Sequence, residues 1–527
     1  MKPKVLISDE LSETAIDIFK DRGVEVSYEP KLGKDKARLA QVIELYDGLA
    51  VRSATKATAD IIKAAKNLKV IGRAGIGVDN IDIPAATAAG VVVMNTPYGN
   101  AITTGEHAIA MIFAAARQIP QANLSTHAGK WEKSKFMGVE LFGKTLGLIG
   151  CGNIGGVVAE RCVGLKMRVV AFDPFLTEAR AIELGVEKVE LDALLARADI
   201  ITLHTPLTDQ TRNILSAKAL AKTKKGVIVV NCARGGLVDE AALKEGLDSG
   251  RIGAAALDVL AVEPATDHPL FGHERVVMTP HLGAATREAQ ENVAIQIAEQ
   301  MSDYLLRGAV TNALNMPSIT AEEAPRLKPF IALAENLGKF AGQLTETSLR
   351  AIEVVYAGGV AKLNTRPMTA AAVAGVLRPM LSEVNIVNAP LVAKERGVAI
   401  AETYRDDAEN FESVIRLRIV TERQDRSVSG ALFGQTPRIV EIKGVEMEAS
   451  FAPYMLFVTN EDKPGFIGAL GQTLGAANVN IATFNLGRAA PGAEAIALLA
   501  VDDLVSNEVL EKVSALPHVK QAKPLAF

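Results

Sequence analysis

Three residues in the middle of the chain have the types needed to move a proton beside a carboxylate: Arg234 in NCARGG, Glu263 in DVLAVEP and His281 in TPHLG. Each follows closely on an apolar run that reads as a strand. Histidine titrates near neutrality, so its ring can take a proton from an alcohol and return it. A neighbouring carboxylate would orient the ring and favour its protonated form. Arginine presents a planar fork that fits a 2-oxo-acid carboxylate. Such a set suits oxidation of a hydroxy acid, in which a hydride and a proton leave together. Spacing alone does not separate this trio from three unrelated surface or cap residues.

A hydride acceptor is indicated by residues 145–173, TLGLIGCGNIGGVVAERCVGLKMRVVAFD. A strand over 146–149 leads into Gly150, Gly152 and Gly155 in the spacing G-x-G-x-x-G, and a helix is predicted over 154–165. Gly150 permits the sharp turn, Gly152 lets a pyrophosphate approach the backbone, and Gly155 lets the helix pack close to the strand. A second strand over 168–172 ends in Asp173, whose carboxylate can accept hydrogen bonds from a ribose diol. That acid favours NAD over NADP, because it would repel a 2′-phosphate. The competing reading is a tight strand-to-helix turn in another α/β fold.

The elements that must hold these groups read as alternating strands and helices. Residues 4–95 carry the strands VLIS, VEVSY, GLAVR, KVIGRA and VVVMN with helices between, which predicts a parallel sheet covered by helices. A mostly apolar helix over 103–118 joins this lobe to the glycine stretch, and His107 on it reads as structural. The alternation resumes through DIITLHTP, GVIVVNCARGG, AAALDVL and VVMTP, and the strand-end rule singles out Thr205, Cys232–Arg234 and Asp258. A helix over 285–307 is expected to return to the first lobe and make it discontinuous. NMPSITAEEAPRLKP reads as a linker, with a helix over 331–345 beyond it. An α+β unit follows, with helices over 368–382 and 388–396. In it Lys394, Arg396, Arg416 and Arg438 fit solvated faces better than an anion site. Residues 454–527 have the order βαββαβ of a ferredoxin-like unit. Asp462, Asn480 and Asn485 there suit turn and cap chemistry and a grip on a small amino acid equally well.

At 527 residues the chain is too long for one core. A net charge of −4 supplies no basic field for nucleic acid. No apolar run is long enough to span a bilayer, and the start, MKPKVLISDE, does not read as a signal peptide. Cys151, Cys162 and Cys232 show no metal-ligand spacing and fit small buried side chains in a reducing cytosol.

The stretches VRSATK, GRAGIGVDNID, GCGNIG, HTPLT, NCARGGLVDE, ALDVLAVEP and TPHLGAAT, in this order, resemble the D-2-hydroxyacid dehydrogenase family. The long C-terminal extension narrows the resemblance to its long form, the D-3-phosphoglycerate dehydrogenases with an intervening regulatory domain and a terminal ACT domain. It implies a flavodoxin-like substrate domain over 1–98 and 285–315 and a Rossmann NAD-binding domain over 99–284. An α+β intervening domain over 316–452 and a ferredoxin-like ACT domain over 453–527 complete it.

The resemblance further implies that His281 exchanges the proton, Glu263 is its partner, and Arg234 binds and polarises the substrate. NAD would be lined by Gly150, Gly152, Asn153, Ile154, Gly155, Asp173, Thr205, Cys232, Ala233, Arg234, Asp258, His281, Leu282, Gly283 and Ala284. Arg52, Ser53, Arg73, the Gly75–Gly77 backbone and Lys133 would face the substrate's phosphate and carboxylate. Lys133, in GKWEKSKF, would serve its own subunit or the adjacent one. Ile76 stands where some relatives carry a hydroxyl residue. Asp462 and Asn480 match serine-binding positions, whereas Asn460 replaces an aromatic. The implied activity is NAD-dependent oxidation of (2R)-3-phosphoglycerate to 3-phosphooxypyruvate, the first step of phosphorylated L-serine biosynthesis. L-serine would be an effector, and 2-oxoglutarate or 2-hydroxyglutarate a side substrate. A cytoplasmic homotetramer without metal is expected, with a sheet edge near 454–460 as a subunit contact. A glyoxylate or hydroxypyruvate reductase would resemble residues 1–315 only. A non-enzymatic NAD-sensing corepressor would not need the ACT domain, and a vestigial amino-acid sensor would not need the complete motif set.

Overall fold

The short apolar runs of the first lobe form a five-stranded parallel sheet in the computed structural model, which describes residues 2–527. The spatial order is Glu25–Tyr28, Lys4–Ile7, Gly48–Val51, Val70–Arg73, Val92–Met94. This is the flavodoxin-like order, with helices on both faces, and it explains why Val5, Leu6 and Ile7 are all fully buried. The helix Arg287–Arg307 packs on this sheet and on the helix Glu13–Asp21, burying Ile297 and Met301 in one core with Val5 and Val70. An isolated bridge from Met94 to Ala313 holds the chain that follows it.

The second sheet has seven parallel strands, in the order Val276–Met278, Ile252–Leu257, Val227–Asn231, Ile200–Leu203, Thr145–Ile149, Arg168–Phe172, Glu187–Lys188. The strand order reverses between Thr145–Ile149 and Ile200–Leu203, and at such a point an open sheet offers its binding crevice. The helix Ala101–Arg117 covers this sheet through Ala108, Met111, Ile112 and Ala115 and packs on the helix Asn153–Gly164. The chain therefore crosses between the two sheets twice, just before Ala101 and just before Arg287. The crossings are neighbours, since a Cβ on Gly99 would lie 2.6 Å from Val293 and one on Gly283 would lie 3.3 Å from Thr104.

Beyond residue 315 the proline-rich linker is shorter than expected. The helix predicted from 331 begins at Ala324 and runs to Gln343, with Pro325 in its first turn and Pro329 inside it. Burial of Leu327, Leu333 and Leu337 outweighs the poor helix propensity of those prolines. The other helices of this unit are Arg366–Leu377 and Ala389–Glu395. Its six-stranded sheet runs Ala399–Arg405, Leu349–Gly358, Ser413–Thr421, Asp425–Phe433, Thr436–Ile442, Val445–Ser450. Arg416 pairs with Glu441 at 2.8 Å and Arg438 pairs with Glu448, so these two partly exposed cations already have carboxylate partners on the sheet.

The terminal sheet has the order Ile481–Arg488, Glu494–Val501, Tyr454–Glu461, Val519–Ala526, with two helices on one face, which is the ferredoxin-like arrangement. The expectation of an exposed edge near 454–460 is overturned, because Tyr454–Glu461 is hydrogen-bonded on both sides. Its unbroken buried run, Met455 to Asn460, is that of a central strand. The face without helices packs on Ala324–Gln343, where Phe340 and Phe457 meet edge to face at 5.8 Å. No helix among the described residues is long and apolar enough to cross a membrane.

Candidate active site

The glycine turn sits at the reversal of strand order. Gly150 has φ +91°, and a Cβ there would lie 2.5 Å from the His204 carbonyl of the neighbouring strand end. A Cβ on Gly155 would collide with the Gly150 carbonyl, whereas one on Gly152 would meet nothing. The helix Asn153–Gly164 thus starts from Gly152 with no side-chain cap and open space before it. Its free N–H groups and positive end suit a pyrophosphate. Asp173 accepts the Cys151 N–H at 2.8 Å and the Phe175 N–H at 2.8 Å, which ties the acid to the turn. Asn153 donates to the Pro97 carbonyl on the first crossing at 3.2 Å. These residues fit a dinucleotide, with adenosine ribose at Asp173 and phosphates at the turn. Under the turn, His204 Nε2 bonds Thr202 Oγ1 at 2.9 Å, while Nδ1 is buried without a partner. Burial pushes its ring down to about 4, so it stays neutral.

His281 and Glu263 meet at 2.7 Å, Nδ1 to Oε2. The carboxylate can only accept, so Nδ1 carries the proton and Nε2 is left as the basic nitrogen. The His281 side chain is half exposed, which leaves it accessible to a ligand. It stands on a turn with φ +56°, a left-handed conformation uncommon for histidine. Asp258 holds that turn together. Its carboxylate accepts from Thr279 Oγ1 at 2.6 Å, Leu282 N–H at 2.7 Å and Gly283 N–H at 2.8 Å, and its carbonyl accepts the His281 N–H at 2.9 Å. Burial pushes the Asp258 carboxyl up, but these bonds and His107 Nε2, 3.3 Å away, outweigh it and hold the group below the usual range. His107 is thus a structural anchor under the turn. The Leu282 and Gly283 N–H groups point at Asp258, so what they leave for a ligand is side chain and carbonyl.

Arg234 lies on the turn after Val227–Asn231. Asn231 brackets it, accepting the Ala233 N–H at 3.1 Å and donating to the Arg234 carbonyl at 2.8 Å. Across the cleft, Arg234 Nε donates to Asp79 Oδ2 of the first lobe at 3.0 Å. Arg73 lies close by, over Gly75, and donates to Asn80 at 3.2 Å. Burial, and then repulsion from Arg234, lowers Arg73 to about 10. Arg52 is fixed through its N–H to Asp9 at 2.6 Å and through Nη1 to the Glu10 carbonyl at 3.3 Å. Arg52, Arg73 and Arg234 are close enough to repel one another, so together they form an anion-attracting cluster.

The remaining expected positions lie around and beyond this cluster. The Gly75 N–H is engaged by Thr96 Oγ1 at 2.8 Å, and the Arg234 guanidinium lies against Gly77, on the side where a Cβ would stand. Ser53 is exposed on its loop. Lys133 begins a single exposed turn, Lys133–Lys135, and makes no bond to any of these groups. Cys232 is buried, and its thiol is pushed up by that burial and by Asp258. Thr205, Ile154 and Ala284 follow or open the elements around the crevice. Asp79, Asn231 and the support given by Asp258 were not singled out from sequence. In the terminal unit Asp462 binds Arg488 at 2.6 Å and the Gly492 N–H at 3.0 Å, and Asn480 binds Asp502 at 2.7 Å. Asn485 reaches the Leu498 carbonyl at 3.4 Å, so the three share no partner. Asn460 is buried, with its side-chain oxygen unbonded.

A glycine turn at the reversal of strand order, beside a histidine–carboxylate pair, has the makings of a nicotinamide-dependent dehydrogenase. Residues 109–283 match the D-isomer specific 2-hydroxyacid dehydrogenase NAD binding domain. Residues 326–443 match the D-3-phosphoglycerate dehydrogenase intervening domain, and residues 454–518 match the ACT domain. A D-3-phosphoglycerate dehydrogenase of Archaeoglobus fulgidus is 45% identical over 98% of this chain and 99% of its own length. One from Bacillus subtilis is 40% identical over 99% of each. Among solved structures, a glyoxylate reductase from Paecilomyes thermophila is 29% identical at TM-score 0.56, covering 59% of this chain and 98% of that one. The chain belongs to the D-3-phosphoglycerate dehydrogenase family.

Proposed function

We propose that the chain oxidises (2R)-3-phosphoglycerate to 3-phosphooxypyruvate with NAD, and that the residues above have the following roles. NAD, when bound along the glycine turn, supplies the hydride acceptor. His281 Nε2 takes the hydroxyl proton as the hydride leaves C2, and Glu263 stabilises the imidazolium that results. Arg234 grips the carboxylate and polarises the forming carbonyl oxygen, while Arg52 and Arg73 take the phosphate. Closure of the first lobe on the second excludes water. The observation that carries this reading is the 2.7 Å His281–Glu263 bond, which engages Nδ1 and leaves Nε2 as the basic nitrogen.

In the same reading residues 1–98 with 285–315 bind substrate, 99–284 bind NAD, 316–452 regulate, and 453–527 hold L-serine at Asp462 and Asn480. The subunits assemble as a homotetramer in the cytoplasm, and Lys133 faces the substrate of its own subunit or of the adjacent one. The full-length relatives and the three domain matches support it. The test is NADH formation with 3-phosphoglycerate, D-lactate and D-glycerate, each with and without L-serine. Turnover of an unphosphorylated acid but not of 3-phosphoglycerate would sink the substrate assignment. Full activity at high L-serine would reduce the terminal domain to an assembly module.

A further inference from the structure

The loop that carries Glu263 is held from behind by a second carboxylate–imidazole pair. Glu240 opens the helix Glu240–Asp248, whose N-cap is Asp239. Its Oε1 accepts the Ala261 N–H at 2.8 Å, and its Oε2 meets His268 Nε2 at 3.0 Å. His268 Nδ1 accepts the Leu270 N–H at 3.2 Å, which puts the ring proton on Nε2 and makes the imidazole a donor to Glu240. This pair is more enclosed than the one at the cleft. The Glu240 and His268 side chains are 23% and 11% exposed, against 35% and 51% for Glu263 and His281.

The two pairs are joined by one short stretch of backbone. Glu263 Oε1 accepts the Leu260 N–H at 2.9 Å, and the next N–H, that of Ala261, goes to Glu240. On its other side the loop is pressed on the Arg234 turn, where a Cβ on Gly235 would run into the Leu260 carbonyl. The Leu260–Glu263 segment is thus gripped between the substrate-binding arginine's turn and Glu240. Without the Glu240 grip, what remains is the packing on the Arg234 turn, the bond Glu263 makes within the loop, and the His281–Glu263 bond itself, so the loop can shift and carry the carboxylate with it relative to His281.

We propose that Glu240 and His268 are positioning residues for hydride transfer, acting through the Leu260–Glu263 loop to set where the Glu263 carboxylate meets His281. The inference rests on the roles given above to Glu263 and His281. Neither side chain bonds to Arg234, Glu263 or His281, so each affects the rate only through that loop. A misplacement near 1 Å in such a constellation costs about a hundredfold in rate.

The experiment is steady-state kinetics on the full-length chain, with NAD affinity measured separately. Glu240→Ala and His268→Ala should each lower kcat about tenfold to a hundredfold, with KM for 3-phosphoglycerate and Kd for NAD within about twofold of wild type. His268→Gln keeps an N–H donor near the Nε2 position and should recover most of the lost kcat. In a Glu263→Ala background, Glu240→Ala should add less than about twofold, since the group it positions is gone. An unchanged kcat in Glu240→Ala would overturn the proposal, as would a full multiplicative loss in the Glu263→Ala background. So would a His268→Gln variant as slow as His268→Ala, and this last comparison stands alone if Glu240→Ala does not fold. Wild-type kcat in Glu263→Ala would instead overturn the site assignment, and this proposal with it.

Discussion

Asp173 should control how tightly NAD binds and leave the chemical step alone. Its two oxygens already accept the Cys151 and Phe175 N–H groups, each at 2.8 Å. A carboxylate offers about four lone-pair sites, so about half remain for the two ribose hydroxyls. Hydrogen bonds to a charged group are each worth about 1.5–3 kcal/mol, and the hydroxyls regain water when the acid is removed. Losing both in Asp173→Ala should therefore cost about 2–3 kcal/mol, or about 30- to 150-fold in Kd for NAD. Asp173→Asn should not rescue binding, because an amide nitrogen would face one of the two backbone donors. Discrimination against NADP should relax in both variants, since the charge that repels a 2′-phosphate is gone. Calorimetric titration with NAD, and kcat at saturating NAD, separate the effects. An unchanged Kd would refute the reasoning. So would a kcat at saturation that falls as far as kcat/KM, because the acid would then be acting on the reaction.

Gly152→Ala should leave the melting temperature unchanged and weaken NAD binding, since its Cβ meets no protein atom but enters the phosphate path; Gly155→Ala should lower the melting temperature, because its Cβ collides with the Gly150 carbonyl. Differential scanning fluorimetry with and without NAD reads both. His281→Ala and Glu263→Gln should lower kcat by about 10²–10⁴-fold with NAD affinity retained, and either variant at wild-type kcat would remove that residue from the mechanism. His204 adds a pH dependence to stability. Its folded pKa is depressed to about 4, below the unfolded value of 6.5, so the unfolded chain binds the extra proton. Stability is therefore full above pH 6.5 and falls as the pH drops towards 4, by up to about 3 kcal/mol. His204→Gln should flatten that part of a melting-temperature profile, and an unaltered slope would count against it.

What could be read from the sequence was what short-range pattern controls. The strands at Thr145–Ile149 and Arg168–Phe172, the helix between them and Asp173 fall within a residue or so of expectation, because turn, helix and acid are fixed by local spacing. The βαββαβ order of the last unit was legible for the same reason. What failed depended on tertiary packing. Pro325 and Pro329 suggested a linker, and the apolar face around Leu333 made it helix. The edge expected near 454–460 follows from how ACT domains pair, whereas Tyr454–Glu461 is an interior strand, because strand order in space is not order in the chain. Asp79 meets Arg234 across 155 positions, and no pattern within either segment announces the pair. Glu240 opens its helix, and nothing in a helix start announces a bond to the Ala261 N–H, 21 residues on.

The paired crossings before Ala101 and Arg287 have a mechanical consequence. A lobe hung on one strand of chain can swing, twist and slide. A lobe hung on two adjacent strands keeps a single soft coordinate, a rotation about the line through both anchors, while torsion would stretch one tether against the other. The cleft can then work like a door on two hinges, whose leaf returns to the same jamb at every cycle. Arg52 and Arg73 travel on the leaf and His281 stays on the frame, so registry between the two sides is restored by the hardware and need not be found again by each substrate.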